Sequence, residues 1–417
     1  MINLNKSKKI LVLISGSIAC IKTPLIVSDL SKTGMTIKCV ITESAKKLVS
    51  QISLSILSRN KCYSDIDFWD SDQTKPLHIE LAEWADIILI APLSASSLSR
   101  WATGLSEGLV ANILLATKKP IIAIPAMNTQ MWTNSATQTN WERITSYKNV
   151  LGIPPSKGLL ACDNYGTGKM APIELINLAI MSSLISIEKG IPISGDLKNT
   201  SFLISAGATK EELDAARTLT NRSSGEMGLM IAQAAKLRGA KVYFVYTDIQ
   251  FPVEFAEGLI IKHVSSGLSM QSAMEDFQKQ SDIVVMAAAI TDLRNPIQPR
   301  EPIKTPKSDL KELLFKDLEL VPDILKKMIK TKKKNQKFVG FCAFTGDFET
   351  AKKLALKKKQ SKGCDFLFAN PVDQPEQGFG KNNFNKGWLF EPDGNIVHFE
   401  LASKLEIAHE LLNRITK

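Results

Sequence analysis

The sequence predicts an α/β protein built from two doubly wound parallel-sheet, Rossmann-like domains. Short apolar runs of strand length alternate with segments of helix length along most of the chain. Strands separated by helices form a parallel sheet that helices cover on both faces. The 417 residues suffice for two or three domains at roughly 100–200 residues each, and a break near position 190 divides the alternation into two series.

The first series opens with a β-α-β unit. Residues 10–14 have the apolar character of a buried strand, and residues 15–17 form a turn of small residues. Residues 18–32 are predicted as a helix that Gly34 ends, and residues 36–41 as the next strand.

The same alternation continues to a closing helix. The predicted elements are a strand at 86–92, a helix at 105–117, a strand at 120–125 and the closing helix at 175–187. The residues that follow are rich in Gly, Pro and Ser, which is typical of a linker. We therefore expect a first domain over residues 1–188, a linker over 189–199 and a second domain over 200–417.

The second domain repeats this architecture without a residue-level repeat. Its predicted strands are 202–205, 241–246, 283–289, 338–342 and 366–369, and its predicted helices include 225–238 and 351–362. Near the end, alternating runs at 387–391 and 396–400 flank Asp393 and Gly394. Asp-Gly between alternating runs favours a hairpin with a type I′ turn.

Composition and charge exclude several classes of protein. A hydrophobic fraction of 44% with 23% charged residues suits a soluble globular protein and excludes disordered and disulfide-stapled chains. The six cysteines lie far apart without zinc-ligand spacing, which predicts free thiols in a reducing, cytoplasmic compartment. No run reaches the ~18 apolar residues of a membrane span, and the apolar run near the start is too short for a secretory signal.

The positive charge is concentrated in one stretch. The chain has 52 Lys and Arg against 42 Asp and Glu, a formal net charge of +10. Residues 326–362 hold 13 lysines against Asp347 and Glu349, so this stretch alone accounts for the excess. Such runs are usually solvated helix faces, and no aromatic-interleaved basic motif accompanies this one. Nucleic-acid binding is therefore not expected.

Ligands are expected at the carboxyl ends of the strands, where loops and helix N-termini converge. In the first domain this rule selects the turns 15–17, 42–44, 91–96 and 125–128, which are rich in small and hydroxylated residues. No GxGxxG follows the first strand and the sequence contains no P-loop motif, which disfavours a dinucleotide or P-loop site. Taken alone, each turn is compatible with a plain connection between strand and helix.

Five stretches of the first domain form a more specific pattern. They are SGSIAC at 15–20, HIELAEWAD at 78–86, APLSAS at 91–96, PAMNTQMW at 125–132 and GLLACDNYGTGKM at 158–170. With these stretches, residues 10–188 resemble the homo-oligomeric flavin-containing cysteine decarboxylases. The resemblance implies a flavodoxin-like fold and an FMN cofactor that oxidises the substrate thiol to a thioaldehyde, a step that no side chain can perform. The new C=S group would accept the electrons released with CO2, and the reduced flavin would then restore the thiol.

The resemblance also implies roles for individual residues. His78 would be the active-site base, Asn128 would clamp the substrate carboxylate, and Cys162 would donate a proton from a mobile flap. From the residues alone, His78 could also be a surface residue at a helix start, Asn128 a helix N-cap and Cys162 a buried filler. The residues expected to bind FMN are Gly16, Ser17, Ile18, Thr42, Ser44, Ser94, Ser96 and Met127.

The second domain carries a further set of motifs. They are SAGAT at 205–209, DAARTLTNRSSG at 214–225, AAA at 287–289 with Asp292 and Arg294, and VPDIL at 321–325. With them, the whole chain resembles the bifunctional phosphopantothenoylcysteine decarboxylases/phosphopantothenate–cysteine ligases of coenzyme A synthesis. The resemblance implies CTP- and Mg²⁺-dependent ligation of 4′-phosphopantothenate with cysteine. Decarboxylation of 4′-phosphopantothenoylcysteine to 4′-phosphopantetheine would follow.

For the ligase, the resemblance implies Asn221 and Lys304 as catalytic residues and makes Asp292 a candidate metal ligand. Lysines and a divalent metal would neutralise the charge of the triphosphate. The residues expected to bind substrate or nucleotide are Arg217, Ser223, Ser224, Gly225, Ala288, Ala289, Asp292, Pro322, Asp323, Ile324, Lys359, Lys362 and Phe379.

This domain also departs from the family pattern. Glu226 stands where Lys is usual, Phe344 departs from the usual AAET segment, and of a lysine cluster only Lys304 remains, between Ile303 and Thr305. Two alternatives therefore stay open: a decarboxylase with an impaired ligase, and a catalytically decayed, flavodoxin-like regulatory protein. The partners that the resemblance implies are small molecules and further copies of the chain, in a trimeric decarboxylase and a dimeric ligase.

Overall fold

A computed structural model describes residues 8–71, 74–249, 251–296, 304–309, 318–373 and 383–417. The chain divides into two compact units, Met1–Gly195 and Asp196–Lys417. Each unit has its own sheet and its own core.

The first unit is built on a six-stranded parallel sheet. Its strands are β1 (Lys9–Ile14), β2 (Thr36–Ile41), β3 (Cys62–Tyr63), β4 (Ile87–Leu93), β5 (Ile121–Pro125) and β6 (Val150–Gly152). They lie in the order β3-β2-β1-β4-β5-β6, and every pair is parallel. Without the two-residue edge strand β3, this is the flavodoxin-like order. The predicted doubly wound fold is therefore confirmed here.

Helices cover this sheet. They are α1 (Thr23–Lys32), α2 (Glu43–Lys46), α3 (Gln51–Ser58), α4 (Leu77–Trp84), α5 (Ala95–Thr103), α6 (Gly108–Ala116), α7 (Thr129–Thr133), α8 (Ser135–Thr145) and α9 (Ile173–Glu188). One core cluster joins Leu81, Leu98 and Ile113 of three helices to Leu11 and Ile88 of the sheet. All seven residues of β4 are buried, which explains why its sequence is apolar throughout.

Two predicted helices of this unit begin later than expected. Residues 18–22 form a 3₁₀ helix, and α1 follows with Pro24 in its first turn, where a missing N–H breaks no helical bond. The helix predicted over 105–117 begins at Gly108, because a separate helix, α5, ends at Gly104 with φ +78°.

A hairpin outside the main sheet follows β6. Its strands β7 (Ser156–Leu159) and β8 (Tyr165–Lys169) are antiparallel. The sequence had predicted only a Gly-rich mobile flap in this segment. We call residues 156–169 the flap hairpin.

The second unit contains an eight-stranded mixed sheet in the order β13-β12-β9-β14-β17-β18-β19-β20. Among the described residues, the unit has twelve strands. They are β9 (Ser201–Ala206), β10 (Lys210–Asp214), β11 (Arg217–Thr220), β12 (Lys241–Tyr246), β13 (Ile260–His263), β14 (Ile283–Met286), β15 (Leu293–Arg294), β16 (Glu319–Leu320), β17 (Lys337–Phe344), β18 (Phe366–Pro371), β19 (Phe384–Phe390) and β20 (Ile396–Ser403). The first six strands of the sheet are parallel and the last two antiparallel. The strand order reverses between β9 and β14, as in a doubly wound fold.

The described helices of this unit are α10 (Glu226–Leu237), α11 (Gly267–Gln278), α12 (Ile324–Lys330), α13 (Phe348–Lys362) and α14 (Lys404–Ile415). β10 and β11 form a separate hairpin, and β15 pairs with β16. No described helix of either unit is long and apolar enough to cross a membrane.

The predicted β19–β20 hairpin is present, but the prediction of a type I′ turn was wrong. That turn needs positive φ at both central residues, and of Asp393 and Gly394 only Gly394 has a positive φ, of +90°. The N–H of Gly394 donates to the carbonyl of Glu391, and the N–H of Glu391 pairs with the carbonyl of Asn395. Residues 391–394 therefore form a turn with Pro392 at its first central position and the left-handed Gly394 at its last position. This arrangement is typical of three-residue hairpin loops.

Candidate active sites

In the first unit, the turns after β1 and β4 meet where the strand order reverses. The hydroxyl of Ser15 is buried, donates to the carbonyl of Pro92 at 2.8 Å and accepts the N–H of Ser94 at 2.7 Å. One side chain therefore fixes both turns relative to each other. The sequence had indicated the two turns but not the bond between them.

A cavity of about 520 Å³ opens at this point of the sheet. The sequence-predicted residues that line it are Gly16, Ser17, Ile18, Ser94, Ser96, Met127, Asn128 and Cys162. Thr42, Ser44 and His78 are not among its lining residues. Thr42 caps α2 through the N–H of Ala45, and Ser44 stands behind Gly16, where a Cβ would lie 2.5 Å from the Ser44 Cβ.

The lining of this cavity fits a flavin mononucleotide. Its volume falls in the usual range of small-molecule sites, roughly 300–1,000 Å³. Ile18, Ile21 and Met170 offer apolar surface to a flat ring. The serine turns at 15–17 and 94–96 offer hydroxyls and backbone donors at strand ends, which suit a phosphate.

Asn128 is the N-cap of α7, one of the two roles that its sequence left open, and it also lines the cavity. Its Oδ1 accepts the N–H of Gln130 at 2.8 Å and so caps α7, while its Nδ2 donates to Cys162 Sγ at 3.3 Å. The capping oxygen orients the amide, and the opposite end of the amide is presented at the cavity wall. Cys162 is exposed, in contrast to the other five free cysteines, which are buried.

The flap hairpin reaches the cavity through close contact with the loop after β5. The N–H of Met127 donates to the carbonyl of Gly168 at 3.0 Å. A Cβ on Gly168 would lie 2.2 Å from the carbonyl oxygen of Met127, so only glycine fits here. At the tip of the hairpin, Asp163 has φ +60°, a conformation that Asp tolerates better than most residues.

His78 lies in the first turn of α4, outside the cavity of its own chain. Its ring meets Phe68 edge-on at 5.4 Å between centroids. Its Nδ1 is buried and has no hydrogen-bond partner among the described residues. Nearby, Ile66 and Trp69 expose 76% and 83% of their surface.

The second unit has a cavity of about 450 Å³, also where its strand order reverses. The hydroxyl of the buried Ser205 accepts the N–H of Ala288 at 3.1 Å and holds the loop after β14. The sequence-predicted residues that line this cavity are Asn221, Ser223, Ser224, Ala288, Ala289, Asp292, Pro322, Asp323, Ile324 and Lys362.

The remaining residues predicted for the ligase lie elsewhere. Gly225 is the N-cap of α10, with φ +78°, and is next in sequence to the lining residue Ser224. Lys359 is not a lining residue and donates to the carbonyl of Glu391, whereas its neighbour Lys358 lines the cavity. Phe379 falls outside the described residues.

Arg217 and Lys304 are placed against the β10–β11 hairpin. Arg217 pairs with Asp214 at 2.5 Å and donates to the carbonyl of Thr305 at 3.2 Å, so residues 304–305 lie beside this hairpin and outside the cavity. The N–H of Ala216, then those of Thr305 and the Arg217 side chain, hold the pKa of Asp214 below its usual range.

Several lining residues were missed by the sequence analysis: Phe341, Lys358, Asn385 and Lys404. Lys358 could have been found, because it lies one helical turn from Lys362 on α13, at a spacing of four. Lys362 itself pairs with Asp323 at 2.5 Å. Within the described ranges, no three His, Cys, Asp or Glu side chains are grouped to hold a metal ion.

Comparison with known proteins matches each unit to a family. A flavoprotein family matches residues 3–185, and the family of the DNA/pantothenate metabolism flavoprotein C-terminal domain matches residues 197–417. The chain is thus a two-domain flavoprotein of pantothenate metabolism, and the predicted flavin-binding class is confirmed.

The similarity extends over nearly the full chain. The coenzyme A biosynthesis bifunctional protein CoaBC of Escherichia coli K12 is 35% identical over 411 residues, covering 98% of this chain and 96% of that protein. This chain belongs to the family of coenzyme A biosynthesis bifunctional proteins. It is a bifunctional enzyme with a decarboxylase and a ligase activity, as the sequence predicted.

Two solved structures resemble one half each. A PPC decarboxylase mutant complexed with pantothenoylaminoethenethiol is 34% identical, with a TM-score of 0.40, and covers 42% of this chain and 97% of its own. The C-terminal domain of a CoaBC protein is 28% identical, with a TM-score of 0.42, and covers 53% of this chain and 96% of its own.

Proposed function

We propose that the first unit uses FMN to decarboxylate 4′-phosphopantothenoylcysteine and that the second uses CTP and Mg²⁺ to make that compound from 4′-phosphopantothenate and cysteine. The observation that carries the first half is the contact of Asn128 Nδ2 with Cys162 Sγ at the wall of a cavity that fits FMN. This contact brings the Asn128 amide, which can bind a carboxylate, next to the Cys162 thiol, which can donate a proton, at the wall of the proposed FMN site.

In this assignment FMN is held by the turns at 15–18 and 94–96. When bound, FMN supplies a reversible two-electron oxidation, which gives the electrons released with CO2 a temporary acceptor. Asn128 donates its amide N–H to the substrate carboxylate and so orients the bond that breaks. Cys162 donates its thiol proton once CO2 has left, and the flap hairpin keeps bulk water from the reacting carbon.

His78 would act from a neighbouring copy of the chain. It lies outside its own cavity, and the exposed Ile66 and Trp69 next to it form an apolar surface suited to a subunit contact. Ile52 and Ile56, one turn apart on α3, add to the exposed apolar area of this unit. We therefore propose a homo-oligomer, with a trimeric front half and a dimeric back half, that works in the cytoplasm.

In the second unit, the loop after β14 and the start of α12 form the nucleotide site. The backbone at Ala288 and Ala289 and the segment 322–324 line the cavity together with Lys358 and Lys362. Mg²⁺ usually binds through substrate phosphates and one or two carboxylates, and Asp292 is the carboxylate available for this. Asn221 holds the activated acyl group. The roles of Arg217, Lys304, Lys359 and Phe379 stay predictions.

Two assays test this function. Purified protein should show flavin absorbance, and it should release pyrophosphate only when CTP, 4′-phosphopantothenate and Mg²⁺ are all present. Colourless protein that leaves 4′-phosphopantothenoylcysteine intact after loading with FMN would contradict the decarboxylase. Pyrophosphate release without 4′-phosphopantothenate would contradict the ligase.

A variant of Asn128 separates the two activities. Asn128→Asp keeps the oxygen that caps α7 but replaces the donating amide by an anion, so decarboxylation should be lost while pyrophosphate release is intact. Asn134→Asp is the matched control, because Asn134 caps α8 in the same way through the N–H of Ala136 at 3.0 Å and does not line the cavity. Equal loss in both variants would mean that Asn128 acts only as a cap.

A further inference from the structure

A buried ion pair forms part of the wall of the ligase cavity. Lys404 Nζ lies 2.5 Å from Glu226 Oε2, and the two side chains expose only 3% and 7% of their surface. Glu226 is the first residue of α10 and Lys404 the first residue of α14. Lys404 lines the cavity, together with Met227 and Asn385.

The position of Lys404 is unfavourable for stability on two counts. Burial of an ammonium costs several kcal/mol unless its partners are well placed, and a cation at a helix N-terminus opposes the helix dipole. Burial also raises the pKa of Glu226, although the ammonium of Lys404 opposes this shift. A buried pair of this kind is often no more stable than two apolar side chains of the same size. Stability alone therefore gives little reason for a lysine here.

The chemistry of the cavity gives a better reason. An ammonium is a compact charge with three donors and suits a phosphate oxygen. The other lysines of the cavity, Lys358 and Lys362, are on a different helix, α13, so Lys404 adds a cation from a separate helix. Two of the three substrates of the proposed ligase carry phosphate: CTP as a triphosphate and 4′-phosphopantothenate as a monophosphate.

We propose that Lys404 binds a phosphate group of a ligase substrate and that Glu226 is the positioning residue that holds the Lys404 ammonium at the cavity wall. This inference rests on the proposed ligase function. It thus assigns a role in substrate binding to α14, in addition to α13 with Lys358 and Lys362.

The test replaces Glu226 and Lys404 together. Glu226→Gln combined with Lys404→Met removes both charges at nearly constant volume and leaves no buried charge unpaired, so the fold should be retained. Binding of CTP and of 4′-phosphopantothenate is then measured separately by calorimetry, beside the KM of each in pyrophosphate release. We expect the dissociation constant of one of the two to rise about ten- to hundredfold, the usual effect of losing a charged hydrogen bond. The substrate that is affected identifies the source of the phosphate.

The matched control is the ion pair of Asp196 and Arg238 in the same unit. Arg238 Nη2 lies 2.5 Å from Asp196 Oδ2, and the side chains of Asp196 and Arg238 are 20% and 4% exposed. Asp196→Asn combined with Arg238→Met should leave both dissociation constants unchanged. Unchanged binding of both substrates in the Glu226/Lys404 double variant, or the same loss in the control, would overturn the inference. If wild-type protein binds 4′-phosphopantothenate but releases no pyrophosphate with CTP, the ligase proposal fails, whereas the binding comparison still decides the role of Lys404.

The single variant Glu226→Gln tests positioning. With its counter-ion gone, Lys404 should still bind phosphate but less well, so KM should rise while kcat is nearly kept, and Glu226→Asp should return KM toward the wild-type value. A purely structural role would leave KM unchanged in Glu226→Gln, whereas the melting temperature should fall in either case because the buried ammonium loses its counter-ion.

Discussion

The substitution Gly168→Ala tests whether the flap hairpin is held on the loop after β5. The added Cβ would lie 2.2 Å from the Met127 carbonyl oxygen. Carbon and oxygen atoms do not normally approach closer than about 3.3 Å, so the two backbones must separate by about 1 Å. That shift would break the hydrogen bond from Met127 N–H to Gly168, which is 3.0 Å long.

The expected magnitude follows from these two effects. Forced overpacking costs about 1–3 kcal/mol, and the lost hydrogen bond about 1 kcal/mol. Cys162 moves with the hairpin, and a misplacement of about 1 Å in an active site can lower a rate about a hundredfold. We therefore expect the decarboxylation rate to fall by about one to two orders of magnitude.

The assay is conversion of 4′-phosphopantothenoylcysteine to 4′-phosphopantetheine, followed by mass spectrometry. Gly158→Ala in β7 is the matched control, because a Cβ there meets only the flexible side chain of Lys169, at 3.3 Å. Pyrophosphate release by the second unit should be unchanged in both variants. If Gly168→Ala is as active as Gly158→Ala, the flap hairpin is not held by this contact and the reasoning fails.

Three further predictions concern stability and reactivity. Ser15→Ala removes two buried hydrogen bonds and should lower the free energy of unfolding by about 2–3 kcal/mol in urea titrations, with weaker flavin retention; an effect below about 0.5 kcal/mol would contradict the role of the hydroxyl. In native protein, iodoacetamide should label the exposed Cys162 first and spare Cys62, whose buried thiol has a pKa raised to about 12; peptide mapping that finds Cys62 labelled first would refute this. The hydrogen bond from Lys210 holds the pKa of Asp248 below its usual range, and a lowered pKa stabilises the fold above the unfolded value, an effect lost as pH falls. Asp248→Asn should thus cost a few tenths of a kcal/mol at pH 7, and this cost should vanish as the pH falls through the lowered pKa of Asp248. A cost that persists once Asp248 is protonated would refute the ion-pair origin.

The central strands were predictable because burial on both faces leaves a continuous apolar run. The strand predicted at 241–246 has the bounds of β12, and the one at 283–289 is shortened to β14. Residues 287–289 are apolar as well, but they leave the sheet to line the ligase cavity. Hydrophobicity alone does not distinguish the end of a strand from a loop that a ligand covers.

The flap hairpin was not predictable from its own residues. Its strands carry Gly158, Gly166 and Gly168, which have no side chains to alternate. Contact with the loop after β5 decides its structure, and that contact joins distant parts of the chain. The type I′ turn failed for a different reason: the loop holds three residues, 392–394, and Pro392, whose ring fixes a negative φ, takes its first central position.

The candidate sites were partly visible in the sequence. Asn128 and Cys162 were predicted from motifs, and the bond between them came only with the structure. The sequence analysis named Lys359, whereas the structure shows its neighbour Lys358 at the cavity wall; both lie within one helical turn of Lys362 and differ in helical phase. The pair of Glu226 and Lys404 spans 178 residues of sequence, and no local pattern could have indicated it.

The two units share no sequence repeat, yet in both a serine hydroxyl forms a hydrogen bond that holds a central loop in place. In each, a fully buried serine at the end of the first central strand, Ser15 or Ser205, reaches the loop that leaves the adjacent strand. A hydroxyl is short enough to fit between neighbouring strands and polar enough to satisfy a backbone group that the sheet no longer pairs. For protein designers, a serine at this place offers a way to tether ligand-binding loops of an open sheet without lengthening them.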